Sequence, residues 1–129
     1  MILETSFLID LLKNKRNAVN KMKSLVESGE LFGIASPTIF ELWTGFYALD
    51  KTENEKTKTK SIMDNMIVHP LDNKSASIAG RINGELIKKG STIDPEDSMI
   101  AGIAISNNKT VLTRDPHFNR IEGLKVENY

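Results

Sequence analysis

Cysteine is absent from the 129-residue chain, and histidine occurs only as His69 and His117. The first absence excludes a disulfide frame, an iron–sulfur cluster and a cysteine zinc site, and two histidines so far apart form no local ligand pair. Net charge is also missing: 17 Lys and Arg stand against 17 Asp and Glu, with nine basic and eight acidic residues in 1–60 and eight and nine in 61–129. Without a broad basic field, any nucleic acid would have to be engaged locally, through a metal, or by an oligomer. Long hydrophobic runs are lacking too. The longest, residues 99–105, is too short to cross a bilayer, and Met1-Ile2-Leu3 opens without a signal peptide's basic and apolar regions. The expectation is a soluble, cytoplasmic protein with no membrane partner. Repeats and low-complexity tracts are absent, and the Lys/Glu/Thr stretch at 51–60 is the only compositional shift, which predicts one domain over residues 1–129.

What is present is enough apolar material for a core. Leu, Ile, Val and Phe number 36 of 129 residues, well above the roughly one-fifth typical of disordered chains. Residues 1–3 read as a very short strand feeding a helix that carries Phe7, Leu8, Leu11 and Leu12, with Thr5 and Ser6 as cap candidates. A helix over 18–27 ends at Ser28-Gly29, and 31–35 reads as a buried strand. Ser36 as N-cap and Pro37 in the first turn open a helix to about residue 49, followed by a polar helix over 52–65 and a short strand at 66–68. Ala76, Ala79, Ile82, Leu86 and Ile87 mark an amphipathic helix that Gly90 stops; Asp94-Pro95 opens another to about residue 107, before a strand at 110–113. Alternating strands and helices predict a three-layer α/β domain with a mainly parallel sheet, in which chemistry collects beyond the carboxyl ends of the strands.

Four acids fall where such a sheet would gather them. Glu4 follows the first strand and Asp115 the strand at 110–113; the competing readings are an exposed acid near a helix N-terminus and a turn residue before Pro116. Glu41 shares its helix face with Thr44, Gly45 and Ala48, opposite Ile39, Leu42, Trp43 and Phe46. One charge among small residues points into a crevice or an interface. The helix from Asp94 is apolar all round, yet its first turn holds Asp94, Glu96 and Asp97 with no base nearby. Capping accounts for part of this, with Asp94 at the N-cap and Asp97 at N3. A crevice gathering Glu4, Glu41, Asp97 and Asp115 would repel itself without a cation. Oxygen ligands alone select Mg²⁺ or Mn²⁺ over zinc or copper, and such ions serve phosphodiester hydrolysis.

These segments also carry a resemblance. The opening Met1-Ile-Leu-Glu-Thr-Ser-Phe-Leu-Ile-Asp-Leu-Leu12, the segments Ser36-Pro-Thr-Ile-Phe-Glu-Leu-Trp-Thr-Gly45 and Asp94-Pro-Glu-Asp-Ser-Met-Ile-Ala-Gly-Ile-Ala104, and the segment Val111-Leu-Thr-Arg-Asp-Pro-His-Phe118 resemble PIN-domain ribonucleases of the VapC toxin type. The resemblance spans essentially the whole chain. It implies a compact α/β nuclease that uses Mg²⁺ or Mn²⁺ to cut RNA, commonly tRNA or rRNA, and is held inactive by a VapB antitoxin. By position, Glu41, Asp97 and Asp115 match the family's acidic metal-binding residues, and Glu4 takes the place of the first acid, usually Asp. The extra methylene keeps the charge but alters the expected metal geometry and rate. Ser6 and Thr113 match small hydroxyl residues bordering the family's site, with capping and strand-end hydrogen bonding as the competing reading. The small face of the Glu41 helix, together with the resemblance, implies a homodimer.

Arg114 is a candidate phosphate contact beside the site, against the reading of an ordinary surface arginine; His117 is a weaker candidate, and the lysines of 51–60 read first as a solvated helix face. A phosphoacceptor domain would resemble its family through an acidic pair after the first strand, and a haloacid-dehalogenase-like phosphatase through Asp-x-Asp; Glu4-Thr5-Ser6 supplies neither. The remaining alternative is a catalytically weakened PIN scaffold that mainly binds antitoxin or RNA.

Overall fold

A computed structural model describes residues 1–129. Strands β1 (Ile2–Leu3), β2 (Gly33–Ala35), β3 (Ile67–His69), β4 (Thr110–Leu112) and β5 (Lys125–Glu127) form one parallel sheet in the order β3-β2-β1-β4-β5. Between them run α1 (Thr5–Leu12), α2 (Arg16–Ser28), α3 (Ser36–Ala48), α4 (Glu53–Asp64), α5 (Asn73–Lys88) and α6 (Pro95–Ser106), with a 3-10 turn at Pro116–Arg120.

Strand side chains alternate between faces, and that period sorts the chain into layers. Ile2, Ala35 and Val111 enter a core with Ile82, Leu86, Ile100 and Ile103 of α5 and α6. Their neighbours Leu3, Ile34 and Leu112 face the other way, against Phe7, Leu8, Ala18, Leu25, Leu42 and Met63 of α1 to α4. The expected three-layer α/β arrangement is what forms. Two glycines set its spacing. A Cβ on Gly33 would lie 2.4 Å from the Ile67 carbonyl oxygen, and one on Gly102 would lie 2.5 Å from the Ser75 carbonyl oxygen, so β2–β3 pairing and α5–α6 packing both need a bare backbone there.

Several local expectations change. Residues 31–32 stay outside β2, and β3 is displaced by one residue from the expected 66–68. Strand β5 was not expected: Lys-Val-Glu carries a single apolar residue, and it joins the sheet as an edge beside β4. Ser36 is not the α3 cap; the cap position is Ala35, and the Ser36 hydroxyl instead accepts from the Leu71 N–H at 3.1 Å. Helix α1 is capped by Glu4 rather than by Thr5 or Ser6. No helix is long and apolar enough to cross a membrane.

The sheet order places the site. From β1 the chain moves to one side for β2 and β3, while β4 and β5 lie on the other side. Such a reversal opens a crevice at the carboxyl ends of the strands flanking it. Glu4 leaves β1 there, Thr113 and Asp115 leave β4, and the first turn of α6 brings Asp97.

Candidate functional site

Glu4 is held by its own helix and by the neighbouring strand. It is 3% exposed, and its Oε2 accepts from the Ser6 N–H at 3.0 Å, the Ser6 hydroxyl at 2.5 Å and the Thr113 hydroxyl at 2.7 Å. Its Oε1 accepts no protein hydrogen bond. The capping reading of Glu4 is therefore correct for one oxygen, but the residue is buried rather than exposed. Ser6 and Thr113 also approach each other at 3.2 Å, so the two small hydroxyls join the ends of β1 and β4 around this carboxylate.

Glu41 sits in the second turn of α3, where its Oε1 accepts from the Thr5 hydroxyl at 2.7 Å; Thr5 also reaches Thr38 at 3.2 Å. Burial raises the Glu41 pKa, an effect the Thr5 bond offsets in part and the negative charges of Glu4, Glu96 and Asp94 reinforce. The face it shares with Gly45 borders a groove of about 350 Å³, also lined by Ile9, Leu12, Leu49 and the lysines Lys13, Lys51 and Lys58. Of the small residues expected on that face, Gly45 lines the groove and Thr44 and Ala48 do not; Leu42 and Phe46, expected on the opposite face, line it as well.

Asp97 is 5% exposed and makes no side-chain hydrogen bond, and Asp94 makes no side-chain cap bond to α6. Capping thus explains neither acid. Burial, then the charges of Glu4, Asp115, Glu41 and Asp94, push the Asp97 pKa up to about 7. The carboxylates therefore feel one another, and the strongest charges acting on Asp97 are all negative.

Asp115 accepts from the His117 N–H at 2.9 Å through Oδ1, and the His117 Nδ1 lies 3.2 Å from the same oxygen. Its own N–H donates to the Thr113 hydroxyl at 2.9 Å. Asp97, Asp115 and His117 present ligand atoms within 4.8 Å of one another; Glu4 and Glu41 lie outside that tightest group and act on it through charge. Sequence reasoning undervalued His117 because a turn histidine needs no function. Its position two residues after Asp115, on a turn that Pro116 rigidifies, was the available signal.

The tightest donor set is two carboxylates and one imidazole rather than the oxygen ligands alone that the sequence suggested; with Glu4 and Glu41 adding negative charge, it fits a divalent cation. The pKa shift on Asp97 supports the same fit, since like charges raise a carboxylate pKa and an opposing charge would lower it again.

The PIN domain family model matches residues 1–124 of this chain. The tRNA(fMet)-specific endonuclease VapC of Salmonella typhimurium is 30% identical over 129 residues, covering 99% of this chain and 96% of its own. The Ribonuclease VapC2 of Rickettsia felis is 25% identical over the same span. Among solved structures, the fold is similar to VapBC2 from Rickettsia felis bound to a DNA fragment from their promoter, with a TM-score of 0.89 and 26% identity over 99% of this chain and 97% of that one. It is also similar to DNA-bound VapBC from Salmonella typhimurium, with a TM-score of 0.83 and 30% identity over 98% and 96%. The chain belongs to the PIN-domain family and, within it, to the VapC type.

Proposed function

We propose that residues 1–129 act as one nuclease domain, a Mg²⁺- or Mn²⁺-dependent endoribonuclease that forms the toxin half of a pair with a VapB-like antitoxin. The observation that carries this reading is Asp97, a nearly buried carboxylate with no hydrogen bond, whose ligand oxygen lies within 4.8 Å of the ligand atoms of Asp115 and His117 and which feels the negative charges of Glu4 and Glu41. The names of the relatives support the activity, and the VapBC complexes among the similar structures support the partner.

Asp97 and Asp115 would hold the cation, with Glu4 and Glu41 completing the charge around it. When bound, that ion supplies Lewis-acid stabilisation of the charge developing on a phosphodiester and eases loss of a proton from water. Ser6 and Thr113 fix one oxygen of Glu4 and leave the other for the crevice; Thr5 fixes one oxygen of Glu41 in the same way. The reaction is in-line attack of water on phosphorus with breakage of the bond to the 3′ oxygen, leaving 5′-phosphate and 3′-hydroxyl ends. A tRNA or rRNA substrate, a cytoplasmic location and a homodimer complete the reading.

The weakened-scaffold alternative draws on Glu4, whose Oε2 is already occupied by three donors. One assay separates the two. Purified protein should cut RNA with Mg²⁺ or Mn²⁺ and stop in chelator, and its products should carry 5′-phosphates. Cleavage that persists in chelator, or 2′,3′-cyclic phosphate ends, would refute the nuclease reading; intact RNA at every metal concentration would favour the scaffold.

A further inference from the structure

A second buried acid lies beside the crevice. Asp10 is 1% exposed, on the α1 face four residues beyond Ser6, about 6 Å along the helix. Its Oδ2 accepts from the Arg114 Nε at 2.7 Å and from the Tyr129 hydroxyl at 2.7 Å, and the Lys15 ammonium stands 3.1 Å from Oδ1. Burial alone would raise the Asp10 pKa, but the Tyr129, Lys15 and Arg114 contacts outweigh it and hold the carboxyl below its ordinary value. Arg114 is tied to the crevice from its other end, where its backbone N–H donates to the same Ser6 hydroxyl that bonds Glu4.

Three features make this more than a structural ion pair. First, a buried ion pair is poor value for stability alone, since well-packed apolar residues commonly do as well. Second, the bond to Asp10 uses only the Nε edge of the guanidinium; neither Nη group is bonded to a carboxylate or carbonyl, and the side chain is 51% exposed. Third, Arg114 and Lys15 are two cations held on one carboxylate, with Arg114 next in sequence to Asp115, and such local positive charge is what an incoming polyanion would meet in a chain with no net basic charge.

We propose that Asp10 is a positioning residue that holds Arg114 at a second phosphate subsite, where the free Nη groups receive the RNA phosphate neighbouring the one that is cut. Tyr129 steadies the same carboxylate while stacking edge-on against Phe7 at 4.8 Å, and Lys15 pairs with its other oxygen. The inference rests on the ribonuclease reading above. Its effect falls on substrate binding, so it shows in KM rather than kcat.

The test uses initial rates on a single-stranded RNA oligonucleotide with Mg²⁺, for the parent, Asp10→Asn, Arg114→Lys, Arg114→Ala and the double variant Asp10→Asn/Arg114→Ala. Rates are taken where circular dichroism shows each protein folded. Removing a negative charge should tighten polyanion binding if only net charge matters. Positioning gives the opposite sign: Asp10→Asn raises KM about tenfold, the scale of one charge-assisted hydrogen bond, with kcat changed less than about twofold. Arg114→Lys keeps the charge but loses the fork and should raise KM similarly. The double variant should be no worse than Arg114→Ala, because Asp10 acts through Arg114. An unchanged or lower KM in Asp10→Asn, or a parental KM in Arg114→Lys, overturns the inference while leaving the nuclease intact; the half-exposed Arg114→Lys can overturn it even where Asp10→Asn does not fold. A parent that cuts no RNA at any metal concentration overturns the nuclease reading and this inference with it.

Discussion

Asp10 and Asp97 are both nearly buried carboxylates, and their surroundings treat them oppositely. Asp10 is surrounded by Arg114, Lys15 and the Tyr129 hydroxyl, so its charge is complete within the chain. Asp97 has no hydrogen bond and meets Glu4, Asp115 and Glu41. Burial opposes ionisation at both positions; at Asp10 the Tyr129 hydrogen bond and the Lys15 and Arg114 cations outweigh it and lower the pKa, while at Asp97 the surrounding negative charges add to it and raise the pKa. A protein that can neutralise one buried acid so fully has left the other group unneutralised, and the crevice is where an external cation fits.

The largest effect should come from erasing that contrast at the crevice. Asp115→Asn, and separately Asp97→Asn, should lower Mg²⁺-supported RNA cleavage by about a thousandfold or more, the scale of losing a principal electrostatic group. The fold should survive, because Asn keeps the size of the side chain and Asp97 has no side-chain hydrogen bond to lose; cleavage rates and circular dichroism on the same samples check this.

Next comes pH. The Asp97 pKa lies above its ordinary value, so between about pH 4 and pH 7 the folded state binds more protons than the unfolded one. Metal-free stability contributed by Asp97 is therefore lost as pH rises through that window. Asp10 behaves inversely: its stabilisation is present above the ordinary carboxylate range and is lost as pH falls through its depressed pKa. Thermal unfolding in chelator should show Asp97→Asn flattening the decline toward pH 7, whereas Asp10→Asn should cost about 1–3 kcal/mol at neutral pH.

Glu4 should give a smaller effect. Oε2 collects its three donors at the reach of a glutamate, and Asp would retract the carboxylate by about one carbon–carbon bond, roughly 1.5 Å. Glu4→Asp should therefore slow cleavage by about tenfold or less, although the family position usually carries Asp, while Glu4→Ala should lower metal affinity and rate together; metal titrations beside initial rates read both. Smallest is Thr113→Ala, which removes one donor to Glu4 and should cost about 1 kcal/mol in stability and a few-fold in rate.

How much of this was legible follows the same division. Strand–helix alternation showed the layered fold because Ile2/Leu3, Ile34/Ala35 and Val111/Leu112 each feed two cores. Strand β5 was hidden because Lys125 and Glu127 leave it no hydrophobic signature, and its place depends on backbone pairing with β4. Glu41 and Asp97 were legible as acids on surfaces that otherwise carry small or apolar residues. Asp10 offered the same signal, the only charge in the eight residues of α1, and was passed over because its partners Arg114 and Tyr129 lie more than a hundred residues away. Local pattern exposes a misplaced charge; only the fold says whether it has been answered.

The most direct test of that contrast is the melting temperature of the parent and of Asp97→Asn, each with chelator and with saturating Mg²⁺, at pH 7 and at pH 5. A cation that prefers the folded crevice should raise the parent's melting temperature, more at pH 7 than at pH 5 where protons compete for the same carboxylates, and should raise that of Asp97→Asn little. Equal Mg²⁺ shifts in the two proteins, or no shift in the parent at either pH, would contradict the claim that these carboxylates are built to hold a metal ion.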